Sequence, residues 1–585
     1  MSPNPYFVDE SKPWFSEEAG WPTEVPRNYE FPSMTLSQML KESVARFADQ
    51  PAAWFLDGFI TYRQLDDYAD RLANALHKMG LKKGDVVTLL LPNSFQYVVG
   101  YYACQRIGLI ASGVNPTYKP GEVLHQLKLT KAKAMIVLDS LYETTVAPIL
   151  KDSHVKHLVV TNVVDLVPMS PIKKMLGKLL KKIPTGPVPA DALRLLDLLK
   201  SPPTPPEVEI DVHSPATYIM TGGTTGVPKA AMLSHHNCVS NAIQARLWLY
   251  KVEPGIMNIG ILPLFHSFAM TCVMNLTLHV GGWMLLFPRP PAMGELCQRV
   301  QDLTPPAGST FCGAEILFKK FAEFPELKQY NLDGKLTLCV SGAGPLHRPV
   351  QEAFEKATGA RLAEGYGLTE TSPVVSAHPF WGNRKIGTIG LPFTGTEWRI
   401  VDNNDWRRDL PQGEAGEIAV AGPQIMLGYL DKPEETAETI VELDGKRWCL
   451  TGDIGRMDPQ GRITIEDRKK QMIKFKGYPV FPTEVETLLM GHEAVSEVAV
   501  AGLPDAECGE IIKAWVVLKD AYRGRVSEAD VLAWAKENLT HYKVPRAVQF
   551  VDELPKSLIG KVLRRVLQEA DPIWQAAQAA KAGKS

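Results

Sequence analysis

The chain has 585 residues, 45% of them hydrophobic and 22% charged, with a formal net charge of −2. That length exceeds one ordinary domain and points to a layered body with at least one smaller unit. The balanced charge offers no field for nucleic acid, and no apolar stretch is long enough to span a bilayer as a helix.

Residues 1–33 hold many prolines and aromatics without a period and read as an extended arm packed on a body. The polar, acidic start lacks the basic-then-apolar pattern of a signal peptide, so a cytoplasmic protein is expected. From Thr61, the residues Leu65, Ala69, Leu72 and Leu76 fall on one helical face, and Gly80 ends that helix. Val86 to Leu91 is an apolar run but for Thr88, as in a buried parallel strand. A helix from Ser94 to about Ile107, another after Pro120, and strands at Ala134–Leu138 and Leu158–Val160 continue the alternation. The pattern predicts an α/β fold: a large layered N-terminal body with α/β sheets, and a small α+β C-terminal domain.

Residues 161–215 differ. Between proline-rich stretches lies IKKMLGKLLKKI, in which lysines alternate with Met175, Leu176, Leu179 and Leu180. Two readings are open for residues 173–183: a peripheral helix on the inner face of an anionic membrane, or a solvated helix covering part of the body. Near Asp467 the character changes again. Ile463 and Ile465 alternate with polar residues, Val498–Val500 and Ile511–Leu518 read as strands, and helices start near Pro482 and at Ser527, the latter with Asp530 completing a capping box. The expected division is residues 1–469 and residues 470–585. The eight cysteines are scattered with no CxxC spacing, as for reduced structural thiols.

The densest chemistry is TGGTTGVPK, from Thr221 to Lys229. Its glycines and threonines supply N–H groups and hydroxyls for phosphate oxygens, and Lys229 adds charge. It is not a Walker A loop, because the lysine does not adjoin the last glycine.

With its continuation AAMLSH, this string resembles the phosphate loop of the adenylate-forming superfamily, which includes acyl-CoA synthetases, luciferases and peptide-synthetase adenylation domains. Further motifs recur in family order: Pro263-Leu-Phe-His266, Ser341-Gly-Ala-Gly-Pro345, Glu364-Gly-Tyr-Gly-Leu-Thr-Glu370, Thr451-Gly-Asp453, Asp467-Arg-Lys-Lys470 and Pro555 to Lys561. The stretch DELPKSLIGKVLRR is most similar to the bacterial long-chain fatty-acyl branch.

The resemblance implies ATP, Mg2+ and coenzyme A, with a medium- or long-chain fatty acid as substrate. It assigns Thr221, Gly222, Gly223, Thr224, Thr225, Gly226 and Lys229 to the phosphates. Gly342, Ala343, Gly365, Tyr366, Gly367 and Thr369 go to the nucleotide, with Tyr366 stacked on adenine. Asp453 and Arg468 go to the ribose, and Glu370 with Thr225 to the metal. Two anions must meet in this reaction, so positive charge is needed where charge develops; Lys561 takes that role. Lys470 is the implied hinge that swings the C-terminal domain between half-reactions, after which Gly477 leaves room for pantetheine. His266, Phe268 and Met270 fall at the acyl pocket. Peptide-synthetase domains carry an aspartate in this region; this chain has none, which suits an alkyl tail. A homodimer is likewise compatible with the family.

Three departures stand out. Met270 occupies a position where some fatty-acyl relatives carry tryptophan, residues Leu303–Phe318 are altered in a tunnel-lining region, and the order of the Ser341–Pro345 string is changed. The alternatives are an aryl or short-chain acyl-CoA synthetase, a carrier-loading acyl-AMP ligase, and a non-catalytic acyl- or AMP-binding regulatory protein.

Overall fold

The computed structural model describes residues 6–221, 228–469, 471–476, 478–505, 507–557 and 562–582. The chain divides into two compact units: Met1–Glu397 with Val420–Cys449, and Trp398–Ala419 with Leu450–Ser585.

In the first unit, the helix Tyr62–Lys78 forms where the apolar period predicts it. A capping box between Thr61 and Gln64 starts it, and Leu65, Ala69, Leu72 and Leu76 are wholly buried. The strand Val86–Leu90 is buried throughout, because it sits inside a parallel sheet with both faces covered. Among the described residues this sheet has eight strands. Its parallel core runs Ile110–Gly113, Val86–Leu90, Ala134–Leu138, His157–Thr161. Beyond Ile110–Gly113 comes the antiparallel hairpin Pro215–Thr221 and Lys229–Ser234, then the short strand Gly428–Tyr429.

A nine-stranded sheet forms the other layer. Its parallel part runs Arg361–Gly367, Leu338–Ser341, Ser309–Gly313, Met257–Gly260, Trp283–Leu286, Pro51–Phe55. The helix Phe95–Arg106 is buried on every side, as a helix covered all round must be. Just before it, the Asn93 amide ties the layers together. Its Nδ2 donates to the carbonyls of Gly260 and Leu262, at 3.0 and 2.9 Å. The N-terminal arm packs as expected: Trp14, Phe15 and Trp21 are buried, and Trp21 meets Trp248 edge-on at 5.4 Å.

The segment between the proline-rich stretches folds as a helix, Pro171–Leu179, capped by the Ser170 side chain. Ile172, Met175, Leu176, Leu179 and Leu180 share one face at i, i+3, i+4, i+7 and i+8. All five are exposed, Ile172 at 72% and Leu179 at 76%. That apolar face points outward. The opposite side is the tethered one, where Lys174 Nζ donates to the Asp165 carbonyl at 2.9 Å. Asn162 donates to the carbonyl of Pro184 at 2.8 Å and holds the segment's far end.

The second unit holds the antiparallel pairing of Asp453–Met457 with Ile463–Arg468. It also holds a sheet ordered Tyr478–Val480, Ile473–Phe475, Gly509–Leu518, Val495–Asp505, with Ala547–Phe550 parallel to Gly509–Leu518. The last two long strands extend beyond the expected apolar cores because their polar ends still pair. Helices Pro482–Leu489 and Glu528–Asn538 close its core through Val485, Leu489 and Val531. The capping box of Ser527 with Asp530 is present.

Candidate active site

The first unit contains a cavity with about 850 Å³ of empty volume, counting the open space at its mouth. Parallel strands gather ligands at their carboxyl ends, and the cavity's mouth is built there. The strand Leu338–Ser341 runs into Gly342 and Ala343, and Arg361–Gly367 carries Gly365, Tyr366 and Gly367. His266, Phe268 and Thr369 complete this rim, so eight of the residues expected at the site line one cavity. Two glycines are dictated by space. A Cβ at Gly367 would sit 2.0 Å from the Pro373 carbonyl oxygen, and one at Gly342 would crowd the Phe268 ring at 3.0 Å.

His266 caps the short helix Ser267–Ala269, its Nδ1 accepting from the Phe268 N–H at 3.3 Å. The chain then enters a π-helical turn, Met270–Asn275, of the kind common at functional sites. Cys272 and Leu276 reach the cavity from it. Met270 is buried and does not line the cavity. The remaining walls are largely apolar, with Trp248, Leu249, Val340, Phe380 and Phe393 beside the polar Asn258 and Thr310, and among the described residues no Asp, Glu, Lys or Arg lines the cavity. Cys312, also in the lining, is buried, and burial pushes its thiol up to about 12.

Glu370 sits in the tight turn Thr369–Thr371, directly after the rim. Its Oε1 accepts from the Tyr429 hydroxyl at 2.6 Å. The Lys229 ammonium lies over the Tyr429 ring, 4.8 Å from its centroid, in cation–π geometry. Burial first, and the Glu370 charge second, raise the Tyr429 hydroxyl well above the ordinary range, so it stays a donor. Tyr429 was not expected from the sequence. It arrives because Gly428–Tyr429 adds antiparallel to Lys229–Ser234, opposite Ala231.

Thr221 and Lys229 face each other across the hairpin that brackets the glycine loop. Gly222, Gly223, Thr224, Thr225 and Gly226 of that loop lie outside the described residues, as do Lys470, Gly477 and Lys561. In the second unit, Asp453 and Arg468 are cross-strand partners. Arg468 Nε meets Asp453 Oδ1 at 2.9 Å, with the carboxylate side chain 5% exposed. The Thr451 hydroxyl accepts from the Asp453 N–H at 3.1 Å and squares the turn.

Magnesium takes one or two protein carboxylates, substrate phosphate oxygens and water. The Glu370 carboxylate fits that set. Among the described residues no group of three His, Cys, Asp or Glu side chains forms a metal cage, so substrate oxygens would complete the coordination.

A family model described as AMP-binding enzyme matches residues 40–430, and one described as AMP-binding enzyme C-terminal domain matches residues 484–561. The chain is 38% identical over 577 residues to the long-chain-fatty-acid–CoA ligase of Bacillus subtilis (strain 168), covering 96% of this chain and 99% of that one. It is 36% identical over 568 residues to the ligase of the same name from Escherichia coli O6:H1, covering 95% and 98%. The crystal structure of ATP-bound MatB from Rhodopseudomonas palustris superposes with a TM-score of 0.75 at 26% identity, covering 92% of this chain and all of that chain.

Proposed function

The chain belongs to the family of AMP-binding enzymes, and from that premise we propose that it is an AMP-forming ligase joining a medium- or long-chain fatty acid to coenzyme A. The observation that carries the substrate class is the cavity: its rim is made of the family's motif residues, and its walls are largely apolar and, among the described residues, free of carboxylates. An alkyl tail gains by leaving water there, at roughly 25 cal/mol per Å². An α-ammonium group would find no carboxylate there among the described residues.

In the first half-reaction the fatty carboxylate attacks the α-phosphorus of ATP. The new P–O bond forms as the bond to pyrophosphate breaks. Lys229 and Lys561 counter the charge on the phosphates, and Tyr366 and Asp453 with Arg468 hold adenine and ribose. Glu370, oriented by Tyr429, would hold Mg2+ together with Thr225, and the ion would supply further positive charge at the phosphates. In the second half-reaction the thiolate of coenzyme A attacks the acyl carbon, and AMP departs with the bridging oxygen. The thiol and Lys561 need the same approach, so the segment from Lys470 onward swings between steps, with Gly477 then lining the pantetheine path.

Two half-reaction assays on Lys561→Ala test this. Acyl-AMP formation is expected to fall a hundredfold or more, while thioester formation from preformed acyl-AMP is spared. Equal losses in both would defeat the alternation. Among the described residues no helix is long and apolar enough to cross a membrane. The outward apolar face of Pro171–Leu179, in a stretch with five lysines and no acid from Pro168 to Pro189, fits the surface of an anionic bilayer. Binding to phosphatidylserine vesicles is expected to drop with salt and to vanish when Lys173, Lys181 and Lys182 become glutamine; unchanged binding rules the contact out.

A further inference from the structure

The cavity wall carries a polar pair that the activation chemistry leaves unused. In the nine-stranded sheet the pleat sends alternate residues to opposite faces. Thr310 and Cys312, like Leu338 and Val340, face the cavity, while Phe311 and Cys339 join the core behind the sheet. Asn258 and Thr310 stand directly opposite each other on neighbouring parallel strands. Both line the cavity, 3% and 7% exposed. Asn258 Nδ2 donates to the Cys272 carbonyl at 2.9 Å, which fixes the amide and leaves Oδ1 as its other end. Among the described residues that Oδ1 finds no partner, and neither does Thr310 Oγ1.

A buried polar atom without a partner forfeits its hydration with nothing in return. Valine and leucine at these positions would suit a plain alkyl chain better. The pair is an acceptor beside a group that both donates and accepts. A hydroxyl satisfies both at once, donating to Asn258 Oδ1 and accepting from the Thr310 O–H. Thr310 is in register with Leu338, which lies four residues before Gly342 at the rim, or about 13 Å at the rise of a strand. The recognised group therefore sits well along the chain, remote from the carboxylate.

We propose that Asn258 and Thr310 form a subsite for a hydroxyl on the acyl chain, and that hydroxylated fatty acids are preferred over plain ones of equal length. This rests on the acyl-CoA ligase reading of the cavity. The test is kcat/KM for AMP release with saturated acids against acids of the same length hydroxylated at mid-chain or near the far end. The wild-type protein is expected to favour one hydroxylated series by tenfold or more. Thr310→Val, which keeps shape and loses the hydroxyl, is expected to shrink that ratio, and adding Asn258→Leu to level or invert it. A wild type that treats both series alike or prefers the plain one overturns the subsite, and so does a preference that survives Thr310→Val. Turnover of plain acids alongside either result leaves the ligase reading standing, whereas no turnover with any acid removes both.

Discussion

Glu364 and Glu370 belong to one seven-residue motif and meet opposite surroundings. Glu364 is buried within the strand Arg361–Gly367, where its Oε1 accepts from the Leu346 N–H at 3.3 Å. Burial raises its carboxyl to about 8 against the pull of that N–H, with the charge of Glu315 adding to the rise. Glu370, one tight turn later, is half-buried and takes the Tyr429 hydroxyl. The first keeps its proton at neutral pH and serves the sheet. The second is the carboxylate proposed above for the metal. A motif thus marks a backbone path, and the chemistry of each letter depends on what the side chain meets when it arrives.

The largest effect that would sharpen this contrast is at Glu370. Glu370→Gln is expected to slow pyrophosphate release about a hundredfold or more with the melting temperature unchanged; a folded, fully active variant would erase the distinction. Tyr429→Phe removes a hydrogen bond to a charged group, and about a tenfold loss is expected in the same assay. Glu364→Gln should leave turnover within a few-fold of wild type and alter stability instead. As pH rises from about 4.5 to about 8, the unfolded chain's glutamate ionises while the native one resists, so wild-type stability falls across that window and then levels. The glutamine variant lacks this loss. Denaturation midpoints at pH 5 and pH 8 are expected to diverge in its favour, and parallel midpoints would show that Glu364 is not held neutral.

Much of the fold was legible because local pattern and tertiary demand agree. The run Val86–Leu91 is apolar but for Thr88 and buried on both faces, as a central parallel strand requires. The pairing of Ser527 with Asp530 announces its helix whatever surrounds it. The rim of the cavity was legible for another reason: its residues cluster in short motifs. Tyr429 was not, since it sits in a two-residue strand with no motif and reaches Glu370 only through pairing with a strand two hundred residues earlier. Thr310 falls in the Leu303–Phe318 segment that the sequence marks as altered, but nothing in the sequence pairs it with Asn258, because only register places the two side by side. The helices Tyr62–Lys78 and Pro171–Leu179 share one apolar periodicity. One buries its stripe and the other presents it outward, and periodicity alone carries no information about what covers a face.

An acyl adenylate is an indiscriminate acylating agent, and the cavity that would hold its tail contains two of the protein's own sulfurs. Cys272 and Cys312 both line that space, and burial drives both thiols upward, Cys312 to about 12. At neutral pH both are held as thiols, and the thiolate is the nucleophilic form. The same dry walls that draw in the alkyl chain therefore guard the enzyme against self-acylation, so that the activated ester waits for a thiol delivered from outside.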